Sequence, residues 1–173
     1  MKDRMAALLV GLACAALLAG SVQADDELAF SKYMSQVDEN VVLAGLLDLE
    51  ALRATHSGSI RVVDLRTAPE GAPEEAMVAE ELGLEYTNIP VASAAVDAAQ
   101  VAALRSVLDE AGEGDLVVVH CASGNRAGML WGAMQLEAGV PLDQVKEAVS
   151  GIVTKAPVTE GLEAYAKTLD AGL

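Results

Sequence analysis

One segment of the chain has residue types that could do covalent chemistry, His120-Cys121-Ala-Ser-Gly-Asn-Arg126. A run of valines precedes it after a Gly-Glu-Gly-Asp turn, which is typical of a buried parallel strand. A helical pattern begins at Arg126, so residues 121–125 are predicted to be the loop between strand and helix. Such a loop directs backbone N–H groups and the helix dipole toward one point. The segment is therefore predicted to bind an anion.

The thiol of Cys121 would be the nucleophile of this loop. Positive partial charges around a thiol favour the thiolate, which is its nucleophilic form. The guanidinium of Arg126 offers a fork of N–H donors that matches the oxygens of a tetrahedral anion. The other predicted donors are the residues between these two: Ala122, Ser123, Gly124 and Asn125. A lone cysteine is otherwise interpreted as a buried core thiol, and the start of the chain argues against that interpretation.

Residues 1–24 have the pattern of a secretory signal peptide. Lys2 and Arg4 precede an apolar run that ends near Leu18, and the predicted cleavage site follows Ala24. The run is shorter than the roughly 20 apolar residues that a membrane span needs. We therefore expect a periplasmic or secreted protein with no stable membrane anchor after cleavage.

Cleavage would leave Cys121 as the only cysteine, because Cys14 lies within the predicted signal peptide. In an oxidising compartment a lone thiol cannot form an internal disulfide, and it is open to oxidation. We therefore expect such a cysteine either to be buried, where oxidants do not reach it, or to have a chemical function. The position of Cys121 between a strand and a helix, close to an arginine, favours a chemical function.

The mature part of the chain would be strongly acidic. After cleavage 9 of the 11 basic and 25 of the 26 acidic residues remain, which makes the formal charge about −16. This argues against nucleic acid or an anionic membrane surface as a partner. We expect residues 25–40 to be an acidic lead-in without regular structure or a frayed helix, and residues 41–173 to form one catalytic domain.

Strand and helix patterns alternate through that domain. Strands are predicted at 41–44, 60–65, 84–91 and 116–119. The alternation indicates an α/β fold of three layers, in which a mainly parallel sheet of about four to five strands has helices on both faces. Ligands bind beyond the carboxyl ends of such strands. Arg66, the segment after Val91 and the Cys121 loop are therefore predicted to share one rim.

The helix after Arg126 is apolar around most of its circumference, so it is predicted to be buried. Gly128 and Gly132 fall on one side of it, where they would let its backbone approach the sheet closely. Asp97, with Gln100 three residues later, predicts the N-cap of another helix.

With these residues in place, the chain resembles the cysteine-dependent protein phosphatase superfamily, and more narrowly the bacterial beta-lactamase hydrolase-like phosphatase family. The matching pieces are Val62-Val-Asp-Leu-Arg66, Tyr86-Thr-Asn-Ile-Pro-Val91 and Val119-His-Cys-Ala-Ser-Gly-Asn-Arg-Ala-Gly128. The resemblance implies a tyrosine or dual-specificity phosphatase-like fold. It also implies hydrolysis of a protein or small-molecule phosphate ester through a thiophosphate intermediate on Cys121, with no metal and no cofactor.

The resemblance also implies roles for single residues. Cys121 would attack phosphorus, Arg126 and the loop N–H groups would hold the phosphoryl oxygens, and an aspartate would protonate the leaving group. Asp97 is the candidate for that acid, although its interpretation as an N-cap competes. Arg66 would bind a substrate anion or neutralise nearby glutamates. His120 would assist the thiolate and substrate binding or fill the end of its strand.

Two features of the loop keep other functions open. The spacing from Cys121 to Arg126 is one residue shorter than in common tyrosine phosphatases. Ala127 stands where those enzymes usually carry a hydroxyl that helps the thiolate leave. The shorter spacing is also that of rhodanese-type sulfurtransferases, which carry a persulfide on the cysteine. The alternatives are therefore sulfur transfer and an inactive module that binds a phosphorylated ligand, and phosphatase chemistry is favoured.

Overall fold

The structure is a computed structural model and describes residues 30–92 and 95–172. The predicted signal peptide, residues 1–24, lies outside the described residues. The strands are β1 Met34–Asp38, β2 Val41–Ala44, β3 Ile60–Asp64, β4 Glu85–Asn88 and β5 Leu116–His120. The helices are α1 Leu49–Thr55, α2 Ala72–Glu81, α3 Ala98–Asp109, α4 Asn125–Glu137, α5 Leu142–Ala148 and α6 Ala156–Ala171, and a short 3-10 helix spans Ala68–Glu70. In the part of the chain that is described, no helix combines the length and apolarity that a bilayer crossing requires.

The strands form one sheet in the order β1-β2-β5-β3-β4. β1 pairs antiparallel with β2, and the other neighbours are parallel. The predicted α/β fold with a mainly parallel sheet is therefore confirmed. The carboxyl ends of β2, β5 and β3 meet at one rim, which is where the chemistry-bearing residues were expected.

The expectation for residues 25–40 is wrong at β1. These residues were expected to be irregular or helical, whereas Met34–Asp38 form an edge strand. The pairing register shifts between Gln36 and Asp38. A bulge of this kind breaks the alternation of side chains that a sequence pattern can detect.

Successive side chains of the inner strands pack in two separate clusters. Val117 and Val119 join the cluster that holds α3, α4, α5 and α6, and Val118 joins the cluster that holds α1 and α2. This is the two-residue period of a strand whose faces are both covered. Cys121 belongs to the cluster under α4. His120, one position earlier, is directed to the face of α1 and α2.

The glycines of α4 face other elements than expected. A Cβ on Gly128 would lie 2.4 Å from Val153 Cγ2, and one on Gly132 would lie 2.8 Å from Leu162 Cδ2. The expectation of close contact with the sheet is therefore wrong. The glycines admit α6 and the segment that joins it to α5. A helix buried on nearly all sides does not reveal from its sequence which neighbour its glycines face.

Near the site, the start of α3 was predicted correctly and the end of β4 was not. Asp97 is the N-cap of α3, and its side chain accepts from the N–H of Gln100, so the predicted cap is confirmed. β4 ends at Asn88 rather than at the predicted Val91. The N–H groups of Ile89 and Val91 still donate to Asp64 O and Leu65 O, but these acceptors are consecutive residues, so the regular parallel register is lost after Asn88.

Candidate active site

The Cys121 loop passes directly from β5 into α4. The backbone N–H of Cys121 donates to Ala44 O at 3.2 Å, which ties the start of the loop to the end of β2. Gly124, the N-cap of α4, has a left-handed φ of 79°. A Cβ at Gly124 would lie 2.4 Å from Ile152 Cδ1. Both the backbone angle and the close contact therefore require glycine at this turn.

The first turn of α4 presents free N–H donors next to the thiol. The N–H of Gly128 is the first to bond within the helix, to Gly124 O at 2.9 Å. The N–H groups of Asn125, Arg126 and Ala127 precede it, and a helix offers no acceptor to these positions. Among the described residues these three N–H groups donate to no acceptor. They lie at the positive end of the helix dipole, which favours an anion.

Cys121 lies at the base of this loop. Its residue exposure is 1%, and it packs with the hydrophobic cluster under α4. Cavities of about 670, 530 and 370 Å³ occur on the described surface, and Cys121 lines none of the three. Glu70 and, to a lesser degree, Cys121 raise the pKa of Arg126, so the guanidinium and the sulfur interact electrostatically.

The guanidinium of Arg126 is held by a carboxylate from another part of the chain. Its Nη2 lies 2.6 Å from Glu70 Oε1, and its Nη1 lies 3.0 Å from Glu70 Oε2. Nη1 also donates to Val91 O at 2.7 Å. The hydrogen bond to Glu70, together with Cys121, raises the pKa of Arg126.

Glu70 is itself fixed by Thr67, at the start of the 3-10 helix. The N–H and the hydroxyl of Thr67 donate to Glu70 Oε2 at 2.9 and 2.8 Å. The hydrogen bond from Arg126, followed by those from Thr67, lowers the pKa of Glu70 to about 2. Glu70 was not among the site residues predicted from the sequence. The Thr-x-x-Glu spacing of a capping box was the available signal.

The side chains of the loop differ in their surroundings. Asn125 is 4% exposed and bonds Ser123 and the segment before α6. Ala127 is fully buried. The predicted use of Ala122, Ser123, Gly124 and Asn125 as backbone donors to substrate stays a prediction.

Arg66 and His120 lie in a second, buried cluster on the other face of the sheet. Arg66 Nε and Nη2 donate to Asp64 at 3.0 and 2.9 Å, and Nη2 lies 2.7 Å from Glu75 Oε2. His120 Nε2 lies 2.8 Å from Glu75 Oε1. The hydroxyl of Tyr86 donates to Asp64 at 2.7 Å. Arg66 therefore neutralises acidic side chains here, and substrate binding by Arg66 and His120 stays a prediction.

The electrostatics of this cluster are those of an ion network. Burial would raise the pKa of Asp64, but the hydrogen bonds from Arg66, together with the charge of His120, lower it. Burial and the hydrogen bond to Asp64 raise the pKa of Tyr86. Asp64, Glu75 and His120 bring three ligand-type atoms within 4.8 Å. The guanidinium of Arg66 already occupies the position of a cation between the two carboxylates.

Asp97 lies on the expected side of the molecule but is engaged as a cap. Its Oδ1 accepts from Gln100 N at 2.9 Å, and Gln100 Nε2 donates to Pro90 O at 2.7 Å. These bonds attach the start of α3 to the segment after β4. The role of Asp97 as general acid stays a prediction.

Solved structures of similar fold are described as phosphatases. A DUF442 candidate phosphatase from Shewanella putrefaciens CN-32 has a TM-score of 0.66 and 20% identity over 88% of this chain and 98% of that chain. A candidate phosphatase from Neisseria meningitidis z2491 has a TM-score of 0.62 and 20% identity over 76% and 96%. TpbA of P. aeruginosa has a TM-score of 0.58 and 18% identity over 78% and 82%. At these identities the likeness establishes the fold.

No curated protein sequence matches this chain. A family model does match it over residues 34–138, which is more than half of the chain and includes the Cys121 loop, Glu70 and the buried cluster. The chain belongs to the family described as beta-lactamase hydrolase-like protein, phosphatase-like domain.

Proposed function

We propose that this protein is an exported cysteine-dependent phosphatase that hydrolyses a phosphate monoester through a thiophosphate on Cys121. The observation that carries the proposal is the fixed guanidinium of Arg126 beside the thiol at the start of α4. The phosphatase-like fold and family support the same chemistry.

The contacts of Arg126 leave one edge of its guanidinium for a substrate. A guanidinium has five N–H donors. Nη1 donates to Glu70 and Val91, and Nη2 donates to Glu70, so these donors are used. Among the described residues, the Nε–H and the second Nη2–H, which lie on one side of the guanidinium, donate to no acceptor, and Cys121 is near enough to add to the effect of Glu70 in raising the pKa of Arg126. Two parallel N–H groups match two oxygens of a phosphoryl group.

The first step joins sulfur to phosphorus. The thiolate of Cys121 attacks phosphorus as the bond to the ester oxygen breaks, and the leaving oxygen takes a proton from an acid, for which Asp97 is the candidate. Arg126 and the N–H groups at the start of α4 stabilise the negative charge on the phosphoryl oxygens in the transition state.

The second step releases inorganic phosphate. A water molecule gives a proton to the carboxylate that the acid became in the first step and attacks phosphorus as the P–S bond breaks, which restores both the thiolate and the acid. Ala127 places no hydroxyl beside the departing sulfur, so we expect this step to limit turnover.

The site suits a small or flexible phosphate ester, because Cys121 is 1% exposed and the phosphoryl group must reach it from the side of Arg126. An aryl phosphate is the first probe, since the similarly folded TpbA of P. aeruginosa was solved in complex with pTyr. We also propose that residues 1–24 direct export to the periplasm or beyond. Mass spectrometry of the mature N terminus tests this, and an uncleaved N terminus in the exported protein would contradict it.

The proposed activity is tested with p-nitrophenyl phosphate, and in parallel with thiosulfate plus cyanide. We expect the wild type to release phosphate and Cys121→Ser to release none. In the wild type, acid quenching during turnover should trap a phosphoenzyme whose mass is that of the protein plus one phosphoryl group. Thiocyanate formation without phosphate release would instead indicate sulfur transfer. Phosphate that protects Cys121 from alkylation without any turnover would indicate an inactive binding module.

A further inference from the structure

We infer that Asn125 is a positioning residue that fixes the shape of the Cys121 loop by joining it to the α5–α6 connector, residues 149–155. The inference rests on the proposed use of the loop as an oxyanion site. It assigns part of that site to a segment that lies beyond residues 34–138, the range that the family model matches.

Both the oxygen and the nitrogen of the Asn125 side-chain amide form hydrogen bonds between the loop and the connector. Its Oδ1 accepts from the backbone N–H groups of Thr154 and Lys155, each at 2.9 Å. Its Nδ2 donates to the hydroxyls of Ser123 and Thr154, each at 3.3 Å. Asn125 is 4% exposed, so water does not compete freely for these bonds. One side chain therefore connects the loop, the start of α4 and the start of α6.

As a result, the side chains of the loop bond the connector, whereas its backbone N–H groups stay available for a ligand. The side chains of Ser123 and Asn125 are held on the side of the connector. The backbone N–H groups of Asn125, Arg126 and Ala127 have no acceptor among the described residues, so they stay available as donors. A loop whose donors are fixed before the anion arrives avoids the cost of ordering them during binding.

Packing brings the connector to the same place. Ile152 lies against Gly124, where a Cβ would be 2.4 Å from it, and Val153 lies equally close to Gly128. Ile152 is 2% exposed. The glycines thus admit the connector to the backbone of the loop, and the amide of Asn125 sets its register there.

The test measures oxyanion affinity, which needs no turnover. Binding of tungstate is followed by titration calorimetry in the wild type, Asn125→Ala, Asn125→Asp and Thr154→Val, with the pH profile of Cys121 alkylation beside it. We expect affinity to fall about tenfold in Asn125→Ala and about threefold in Thr154→Val, as hydrogen bonds of ordinary strength are lost. Asn125→Asp keeps the acceptor for the connector, loses the donors and adds a negative charge, so its alkylation profile should move to higher pH.

Two controls separate positioning from general stability. Thr55→Val removes a hydroxyl that donates to Leu52 O within α1, and should leave tungstate affinity unchanged. Gly132→Ala should lower the thermal midpoint through Leu162 while leaving tungstate affinity and the alkylation profile unchanged.

Some results would overturn the inference. If Asn125→Ala and Thr154→Val have lower thermal midpoints but the tungstate affinity of the wild type, the role of Asn125 is structural alone. If Asn125→Ala does not fold, unchanged affinity and alkylation in Thr154→Val and Asn125→Asp decide against the inference. A wild type that does not bind tungstate overturns it as well. Absence of phosphate release with intact tungstate binding would contradict the proposed function and leave the positioning role standing.

Discussion

Arg126 and Glu70 lie 56 residues apart in the chain and meet in a two-point ion pair, with Nη2–Oε1 at 2.6 Å and Nη1–Oε2 at 3.0 Å. One partner belongs to the first turn of α4, and the other ends the 3-10 helix after β3. The pair fixes the plane of the guanidinium. It thereby decides which N–H donors of Arg126 remain for a substrate.

Replacement of Glu70 by Gln should impair catalysis more than it impairs folding. The neutral amide cannot accept two charge-assisted hydrogen bonds, so the guanidinium loses its fixed plane. We expect kcat/KM for p-nitrophenyl phosphate to fall about 10- to 100-fold, less than the roughly 100- to 1000-fold loss when such a donor is removed, because Arg126 itself remains. The matched control is Glu81→Gln, an exposed carboxylate at the end of α2. Equal kcat/KM in wild type and Glu70→Gln would contradict a role for the pair.

The same pair predicts a pH dependence of stability. The pKa of Glu70 is lowered in the folded protein to about 2 from a usual 4.5, so its stabilising contribution is fully present above pH 4.5 and is lost as the pH falls toward 2. The difference in unfolding free energy between wild type and Glu70→Gln should therefore shrink between about pH 6 and about pH 3. Urea denaturation at several pH values measures it. A difference that stays constant over this range would show that the carboxylate is not paired in solution.

Ala127→Ser should speed turnover of the phosphoenzyme. The new hydroxyl would lie next to Arg126 and could donate to the departing thiolate, which lowers the barrier to P–S cleavage. Ala127 is fully buried, but serine adds only one heavy atom. We expect the steady-state rate to rise several-fold while the initial burst stays unchanged, as measured by stopped-flow release of p-nitrophenol. A slower burst with no gain in steady-state rate would contradict this reading of Ala127.

Gly128→Ala should destabilise the protein through the connector. The added methyl group would lie 2.4 Å from Val153 Cγ2 and 3.2 Å from Ile152 Cγ2, so the connector must move. Overpacking of this kind costs about 1–3 kcal/mol. Gly112→Ala is the control, since its nearest neighbour would be 3.7 Å away. Equal denaturation midpoints for the two variants would show that the connector yields without cost.

Tyr86→Phe should destabilise the buried cluster without changing the Cys121 loop. It removes the hydroxyl that donates to Asp64 at 2.7 Å. Hydrogen bonds to charged groups contribute about 1.5–3 kcal/mol, so the unfolding free energy should fall by an amount in this range. Tungstate affinity should remain that of the wild type, because the cluster lies on the other face of the sheet. A loss of affinity would show that the two faces are coupled.

Much of the architecture could be predicted from local patterns. The valines of β5, the cap at Asp97 and the alternation of strands with helices are signals that each occupy a few residues. β1 escaped prediction because its bulge hides the alternation, and because an edge strand is defined by its partner. The direction of Gly128 and Gly132 was predicted wrongly. When a helix is apolar on nearly all sides, its sequence does not indicate which side packs against the sheet and which against other helices.

The sequence by itself determined that Cys121 lies between a strand and a buried helix and that Arg126 lies in the first turn of that helix, because β-strand and helix periods and the glycine at the turn are local properties of the chain. Only the tertiary structure decided that Glu70 holds Arg126, that Asn125 holds the connector, and that Arg66 and His120 are engaged on the opposite face. Those contacts join segments far apart in the chain. The two-residue period of β5 sends His120 and Cys121 to opposite sides of the sheet, and the order of the strands decides what each side chain meets there.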